Sequence, residues 1–347
     1  METRVLERVK RSLRERRQNL ANWLNTTPGL EKEVRLGPAD ETSVRAHVQV
    51  VDSALQRAED GTLGLCEVCH EYLGAEQLLL DYTACVCIDH FSEEQTRELE
   101  SELELSQIVQ RSLLPHTVPD IPGLDLAVFS RPAQILGGDW FDFFQFQDGA
   151  HGLAIADVVG HGVSASLLMA SVLTALRALV PESVWPSEVL QRVNRFFLHN
   201  IQLTTFVTMF LGRFDPQSRT LTYCNAGHNP PLVLRKNDGA DSVSWLRPTG
   251  AAIGLVEEPG ISSESITLAA GDTLLLYTDG ITEALDTQGE EFGRGRLAEL
   301  VQQEADMSAR QLVEALRHGL QEFTRGRPLA DDATIVACRI ADGFTTS

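Results

Sequence analysis

Four short acidic motifs hold the clearest chemical promise in this 347-residue chain. They are Gly137-Gly138-Asp139-Trp140, Asp157-Val158-Val159-Gly160-His161-Gly162, Tyr277-Thr278-Asp279-Gly280 and Asp331-Asp332-Ala333-Thr334. Aspartate is a poor strand residue, yet each of these stands next to an apolar, strand-like run, where it serves as a turn former or a metal ligand. One alone reads as a turn. Four together, three in motifs with a glycine that allows close backbone approach, favour oxygen coordination of Mg²⁺ or Mn²⁺.

A second constellation lies upstream. Cys66-Glu-Val-Cys69 is a C-x-x-C knuckle, and after 17 residues Cys87-Ile-Asp-His90 forms a C-x-x-H pair. Two such knuckles present two ligands each to one tetrahedral ion, so a structural Zn²⁺ on Cys66, Cys69, Cys87 and His90 is expected. Cys85 would leave an awkward C-x-C pair with Cys87, and His70 reads as a solvated turn residue. Cys224 and Cys338 sit in strand-like runs and read as core.

The elements that must position these groups follow from periodicity. Leu6, Val9, Leu13, Leu20 and Leu24, then Val44, Val48, Val51 and Leu55, recur at helical steps and predict an antiparallel hairpin over 1–60, broken by Pro28, Gly29, Gly37 and Pro38. The cysteine-rich knuckle occupies 61–91. Helical pattern resumes over 92–115, with Leu99, Leu103, Ile108, Val109 and Leu113 on one face, a dimer seam or a packing surface for the following domain. From Leu124 onward nine short apolar or alternating runs predict strands, interrupted by helical patterns at Val163–Val180, Pro186–Asn200 and most of Arg294–Phe323. Strand blocks with helices grouped between them predict an α+β fold of two packed sheets flanked by helices.

Composition bounds the function. Hydrophobic residues make up 43% and charged residues 22%, values of a globular chain. With 29 basic and 49 acidic residues the net charge is −20, which repels nucleic acid and favours protein partners or bound cations. Contiguous apolar runs, such as Leu78–Leu80 and Leu274–Leu276, fall far short of the roughly 20 residues of a membrane span, and the charged start METRVLERVKRSLRERR is no signal peptide. A cytoplasmic protein with no membrane and no direct nucleic-acid contact is expected.

Two resemblances sharpen the reading. The run ALQRAEDGTLGLCEVCHEYLGAEQLLLDYTACVCIDH resembles the DksA/TraR zinc-finger family over about residues 36–95, with His90 in place of the usual last cysteine. In that family an acidic hairpin tip enters RNA polymerase. Here the tip reads Gly37-Pro-Ala-Asp40-Glu-Thr42, in which only Asp40 keeps its place, so the segment is expected to be a reused dimerisation or sensing module. A polymerase-associated regulator with a non-catalytic C-terminal scaffold is the alternative.

From about Gln107 to Arg339 the motifs QRSLLP, PAQILGGDWFDFF, IADVVGHGVSASLLMA, TFVTMFLGRFD, LTYCNAGHNPP, GDTLLLYTDGITEA, EEFGRGRL and DDATIVACR resemble the SpoIIE/RsbU-type branch of the metal-dependent protein serine/threonine phosphatases. That resemblance implies an α–β–β–α sandwich over 116–342 with two Mn²⁺ or Mg²⁺ ions at one edge. Asp157 matches the bridging carboxylate, with the Val158 carbonyl as an extra ligand. Asp139 matches the ligand of the first motif, and Asp279 and Asp331 complete the second metal; Asp332 stands outside the ligand set. Two cations about 3.5–4 Å apart would acidify a water and clamp the phosphoryl oxygens, so no protein nucleophile is needed. The implied substrate is a phosphorylated anti-anti-sigma (STAS-domain) protein, and the chain is expected to form a homodimer through its N-terminal and linker helices. His161 reads as a turn residue, with proton transfer to the leaving seryl oxygen as the alternative. His228 reads as structural within a rigid turn, with a place at the cleft rim as the alternative, and Arg131 is left without a role.

Overall fold

The computed structural model describes residues 3–26, 41–73, 86–87, 90, 92–160, 162–200, 206–236 and 242–341. The chain divides into two compact units, Met1–Ser101 and Glu102–Ser347.

In the first unit, helices α1 (Thr3–Thr26) and α2 (Glu41–Glu59) pack through Val9 and Leu13 against Val51, Ala54 and Ala58, closed by Leu63. Of the expected stripe Val9, Leu13, Leu24 and Val51 are buried and Leu20, Val48 and Leu55 half-buried, while Ala54 and Ala58 add buried places of their own. Arg17 forms an ion pair with Asp52 across the two helices. The turn between them, including Asp40, lies outside the described residues, as does Cys85. Leu65 and Tyr72 bridge as a minimal antiparallel pair around the first knuckle. Helix α3 (Glu93–Leu113) begins in this unit and ends in the second.

The second unit is built on ten described strands in two antiparallel sheets: β1 (Leu124–Arg131), β2 (Trp140–Gln145), β3 (His151–Val158), β4 (Val207–Asp215), β5 (Thr220–Ala226), β6 (Leu232–Arg235), β7 (Ser242–Trp245), β8 (Glu264–Thr267), β9 (Thr273–Tyr277) and β10 (Ala333–Ile340). One sheet has the order β1-β10-β9-β6-β7, the other β2-β3-β4-β5-β8. Nine strands match the sequence expectation. The tenth, β7, escaped it: Ser-Val-Ser-Trp is four residues long and lies at a sheet edge, too short for a periodic signal.

Three apolar layers hold the sheets. Ile155, Phe210, Leu274, Leu276 and Val336 fill the space between them. Helices α4 (Gly162–Leu179) and α5 (Pro186–Asn200) cover one outer face through Met169, Leu173, Val193 and Phe197. After the single turn α6 (Asp279–Thr282), helices α7 (Gly293–Gln303) and α8 (Ala309–Thr324) cover the other through Leu297, Val301, Leu312 and Leu316. This is the expected α–β–β–α sandwich. The helical pattern over Arg294–Phe323 is split in two because Ser308 caps α8 in a reciprocal box with Gln311.

The four phenylalanines of β2 and its end divide between layers. Phe141 and Phe143 face the space between the sheets, and Phe144 and Phe146 face α4. The segment Gly162–Glu182 has the length and hydropathy of a membrane span, which counting contiguous apolar runs did not register. In the fold one face of α4, from Ala165 through Leu168 and Val172 to Leu176, is buried in the sandwich.

Candidate functional site

Antiparallel pairing explains why aspartates far apart in sequence meet. β9 ends where its neighbour β10 begins, with Tyr277 opposite Ile335, so Asp279 follows one strand and Asp331 precedes the other at the same sheet end. In the second sheet β2 starts where β3 finishes, Trp140 lying opposite Ala156, so Asp139 and Asp157 share an end in the same way. Ile155 fills the space between the sheets and side chains alternate along a strand, so Asp157 projects into that same space.

Asp139 is 8% exposed. Its Oδ2 accepts a 2.6 Å hydrogen bond from the hydroxyl of fully buried Thr278, a bridge from one sheet to the other. The same hydroxyl accepts from Thr334 N at 2.9 Å, which fixes it between β9 and β10. Asp332 is engaged by backbone amides. Its carboxylate accepts from Ala133 N at 2.7 Å and Gly138 N at 2.6 Å, pinning the loop that ends in Asp139. Backbones are close-packed here. A Cβ on Gly138 would sit 2.8 Å from the Val158 carbonyl oxygen, and one on Gly280 only 2.0 Å from the Asp332 carbonyl oxygen.

The electrostatics show unneutralised like charge. Burial, then the charges of Asp279, Asp331, Asp332 and Glu283, pushes Asp157 up to about 7. Burial and the neighbouring Asp157 charge raise Asp139 well above the carboxylate range, against the Thr278 hydrogen bond. Asp279 is raised by burial and by Asp331. Such a set is costly without a cation and suits hard divalent ions. Carboxylates from both sheets supply the oxygen donors that hard divalent ions take.

Some contributors were missed in the sequence. Glu283 is raised by burial and then by Asp279, placing it beside the site. Thr278 was hidden because threonine is an ordinary strand residue. Gln110, within the QRSLLP motif, grips Gly137 from α3: its Nε2 donates to Gly137 O at 2.6 Å and its Oε1 accepts from Gly137 N at 3.2 Å. Gln107 Nε2 donates to Ile135 O at 3.0 Å, and Arg177 of α4 joins the Leu113 carbonyl to Asp142 of β2. His161 lies outside the described residues. His228 is buried, 2% exposed, rather than placed at the alternative position on the cleft rim. Arg131 is exposed at the end of β1, and Cys224 and Cys338 are buried as expected.

In the first unit Cys66, Cys69, Cys87 and His90 place their ligand atoms within 4.8 Å of one another, the sole described set of three or more Cys, His, Asp or Glu that does so. The Cys69 and Cys87 sulfurs are 3.9 Å apart. Tetrahedral thiolates at about 2.3 Å from zinc would stand roughly 3.8 Å apart. Backbone amides of Cys69 and Cys87 hold the Cys66 thiol down to about 6, which favours the thiolate a metal binds. Among the described residues, no three of the carboxylates of the second unit bring oxygens within 4.8 Å of one another.

The family profile described as stage II sporulation protein E (SpoIIE) matches residues 147–341. The phosphoserine phosphatase RsbU of Bacillus subtilis is 30% identical over 271 residues, covering 75% of this chain and 78% of that protein. The phosphoserine phosphatase RsbP of the same organism is 26% identical, over 52% of this chain and 45% of its own length. Among solved structures, the RsbU and RsbW domains of a Mycobacterium tuberculosis protein superpose with a TM-score of 0.56 at 31% identity, covering 67% of this chain and 64% of theirs. The SiaA-PP2C domain of Pseudomonas aeruginosa gives 0.60 at 24% identity, over 70% of this chain and 98% of that domain, a likeness of fold. The chain belongs to the SpoIIE family and is a protein serine/threonine phosphatase of PP2C-like fold.

Proposed function

We propose that the chain hydrolyses phosphoserine or phosphothreonine on an anti-anti-sigma-type (STAS) protein in a cytoplasmic partner-switching pathway, using two Mn²⁺ or Mg²⁺ ions. The observation that carries this reading is the convergence of Asp139, Asp157, Asp279 and Asp331 on one end of the sandwich with their charges uncompensated. Bound there, the ions would supply an acidified water and draw charge from the phosphoryl oxygens. Asp157 would serve both ions, with the Val158 carbonyl as an extra ligand; Asp139, held by Thr278, would serve one and Asp279 with Asp331 the other. The partner-switching assignment draws on the likeness to RsbU and RsbP.

Residues 1–60 and 61–91 form, in this reading, a helical hairpin and a DksA/TraR-like finger holding one structural Zn²⁺, with 92–115 as a signalling helix and 116–342 as the phosphatase. The exposed Leu105, Ile108 and Val109 on α3 offer a seam for a homodimer. The Gln110–Gly137 clasp supports a route from that helix to Asp139. The test is Mn²⁺-dependent turnover of p-nitrophenyl phosphate and of a phosphoserine protein, with Asp157→Asn as the inactive reference. Absence of metal-dependent turnover in the wild type would overturn the reading. Unchanged activity and oligomeric state after removal of residues 1–90 would overturn the regulatory part alone.

A further inference from the structure

The Asn225-Ala-Gly-His-Asn-Pro-Pro231 segment is the crossover from β5 of one sheet to β6 of the other. Gly227 makes the bend with φ +68°, in the left-handed region where a side chain is strained, and a Cβ there would press on Ala252 at 3.1 Å. The next residue, His228, is held from behind: its N–H donates to Asn225 Oδ1 at 2.8 Å, and Asn225 Nδ2 donates to Leu246 O at 3.3 Å. The ring thereby stands between the sheets. On one side Nδ1 is 2.9 Å from the Thr208 hydroxyl of β4, and on the other the ring lies against the Tyr277 backbone of β9.

Both neighbours abut the site. Thr208 is the cross-strand partner of Asp157, and paired residues of an antiparallel ladder project to the same face. Tyr277 precedes Thr278, which holds Asp139, and Asp279 follows. The ring is 2% exposed, so its polar atoms look inward to these two neighbours. A residue kept only for bulk would need no polar atoms here, since an apolar ring fills the same volume without their burial cost.

We propose that His228 is a positioning residue that sets the gap between the two sheets at their carboxylate end, and so the spacing at which Asp157 and Asp139 face Asp279 and Asp331. It reaches the ions only through Thr208 and the β9 backbone. The role rests on the two-ion reading given above.

The test measures Mn²⁺ binding to the full chain by titration calorimetry, taking as signal the uptake lost in Asp157→Asn, alongside melting with and without Mn²⁺. His228→Phe keeps the bulk and removes the bond to Thr208; it should bind Mn²⁺ about 10- to 100-fold more weakly, the usual cost of removing an outer partner of a metal site. His228→Asn, whose amide can still meet Thr208, should recover most of that loss, and Thr208→Val should weaken binding in the same direction with the ring intact. Leu234→Ala, a cavity variant on β6, should lower the melting temperature and leave Mn²⁺ affinity unchanged. Wild-type affinity in both His228→Phe and Thr208→Val would overturn the proposal. So would a loss of affinity in Leu234→Ala that matches its loss of stability, because the effect would then be general destabilisation. If His228→Phe does not fold, Thr208→Val decides. A wild type with no carboxylate-dependent Mn²⁺ uptake would overturn the two-ion reading itself, an outcome distinct from variants that bind as the wild type does.

Discussion

Gln110 holds Gly137 by both ends of its side-chain amide, donating to the carbonyl at 2.6 Å and accepting from the N–H at 3.2 Å. Gly137 lies two residues before Asp139, so a helix that starts outside the catalytic unit ends with its grip on the loop of a proposed metal ligand. Gln110→Ala should weaken Mn²⁺ activation of p-nitrophenyl phosphate turnover about 10- to 100-fold, with partial recovery at saturating Mn²⁺. Gln110→Glu, which loses the donor, should behave alike. Unaltered Mn²⁺ dependence in both variants would show the clasp to be incidental.

Thr278 should be as important as a ligand in its effect on metal. Thr278→Val preserves shape but removes the 2.6 Å bond to Asp139 and leaves Thr334 N without its acceptor. Mn²⁺ affinity should fall about 10- to 100-fold, while Thr278→Ser, which keeps the hydroxyl, should stay near wild type. Calorimetric titration of the two variants separates loss of the bond from loss of packing.

The acidic end makes metal-free stability depend on pH. Asp157 stands at about 7 in the fold against the ordinary 3.8, so between those values the folded chain holds a proton that the unfolded chain has released. Stability without metal should therefore decline as pH rises from about 4 to about 7, with Asp139 and Asp279 acting in the same direction. Mn²⁺ binds the ionised forms, so its stabilising effect should grow over the same interval. Melting curves across that range, with chelator and with Mn²⁺, check both trends; a metal-free curve that rises with pH would contradict the repulsion.

Zinc analysis of purified protein should give one ion per chain, and Cys66→Ser or Cys87→Ser should give none. Ligand assembly and folding are coupled in small thiolate sites, so the variants should expose residues 41–101 to limited proteolysis while the phosphatase unit stays resistant. Equal protease resistance with and without zinc would remove the structural role.

Ile108 and Val109 are 64% and 52% exposed on the outer side of α3. Ile108→Glu should convert a dimer to monomers in sedimentation experiments and leave the melting temperature of the phosphatase unit nearly unchanged, because surface substitutions usually shift stability by about 0.5 kcal/mol or less. A wild-type chain that sediments as a monomer at all accessible concentrations would contradict the seam.

What could be read in the sequence was what short-range chemistry marks. Asp139, Asp157, Asp279 and Asp331 interrupt apolar runs where an acidic residue is out of place, and the Cys66–Cys69 knuckle announces itself by spacing. The α3 face was legible as apolar but not by destination: Leu113 packs into the sandwich, whereas Ile108 faces outward. Partners fixed only by tertiary pairing were invisible. Thr278 looks like any strand threonine until β2 brings Asp139 to it, and Gln110 needs a loop 27 residues away. His228 looked like a turn residue because the crossover that buries it joins two sheets, and no local pattern records which sheet a strand will join.

The one-to-one ladder between β3 and β4, running from His151 opposite Phe214 to Val158 opposite Val207, has a last consequence. Deleting any single residue from the middle of β3 would turn Asp157 toward α4 and point an apolar neighbour at the carboxylate end of the sandwich, since strand faces alternate. An extra residue in the exposed turn at 216–219 would leave that parity untouched. Along this one strand, parity therefore decides the outcome of a length change: an even one returns Asp157 to its own face and an odd one does not.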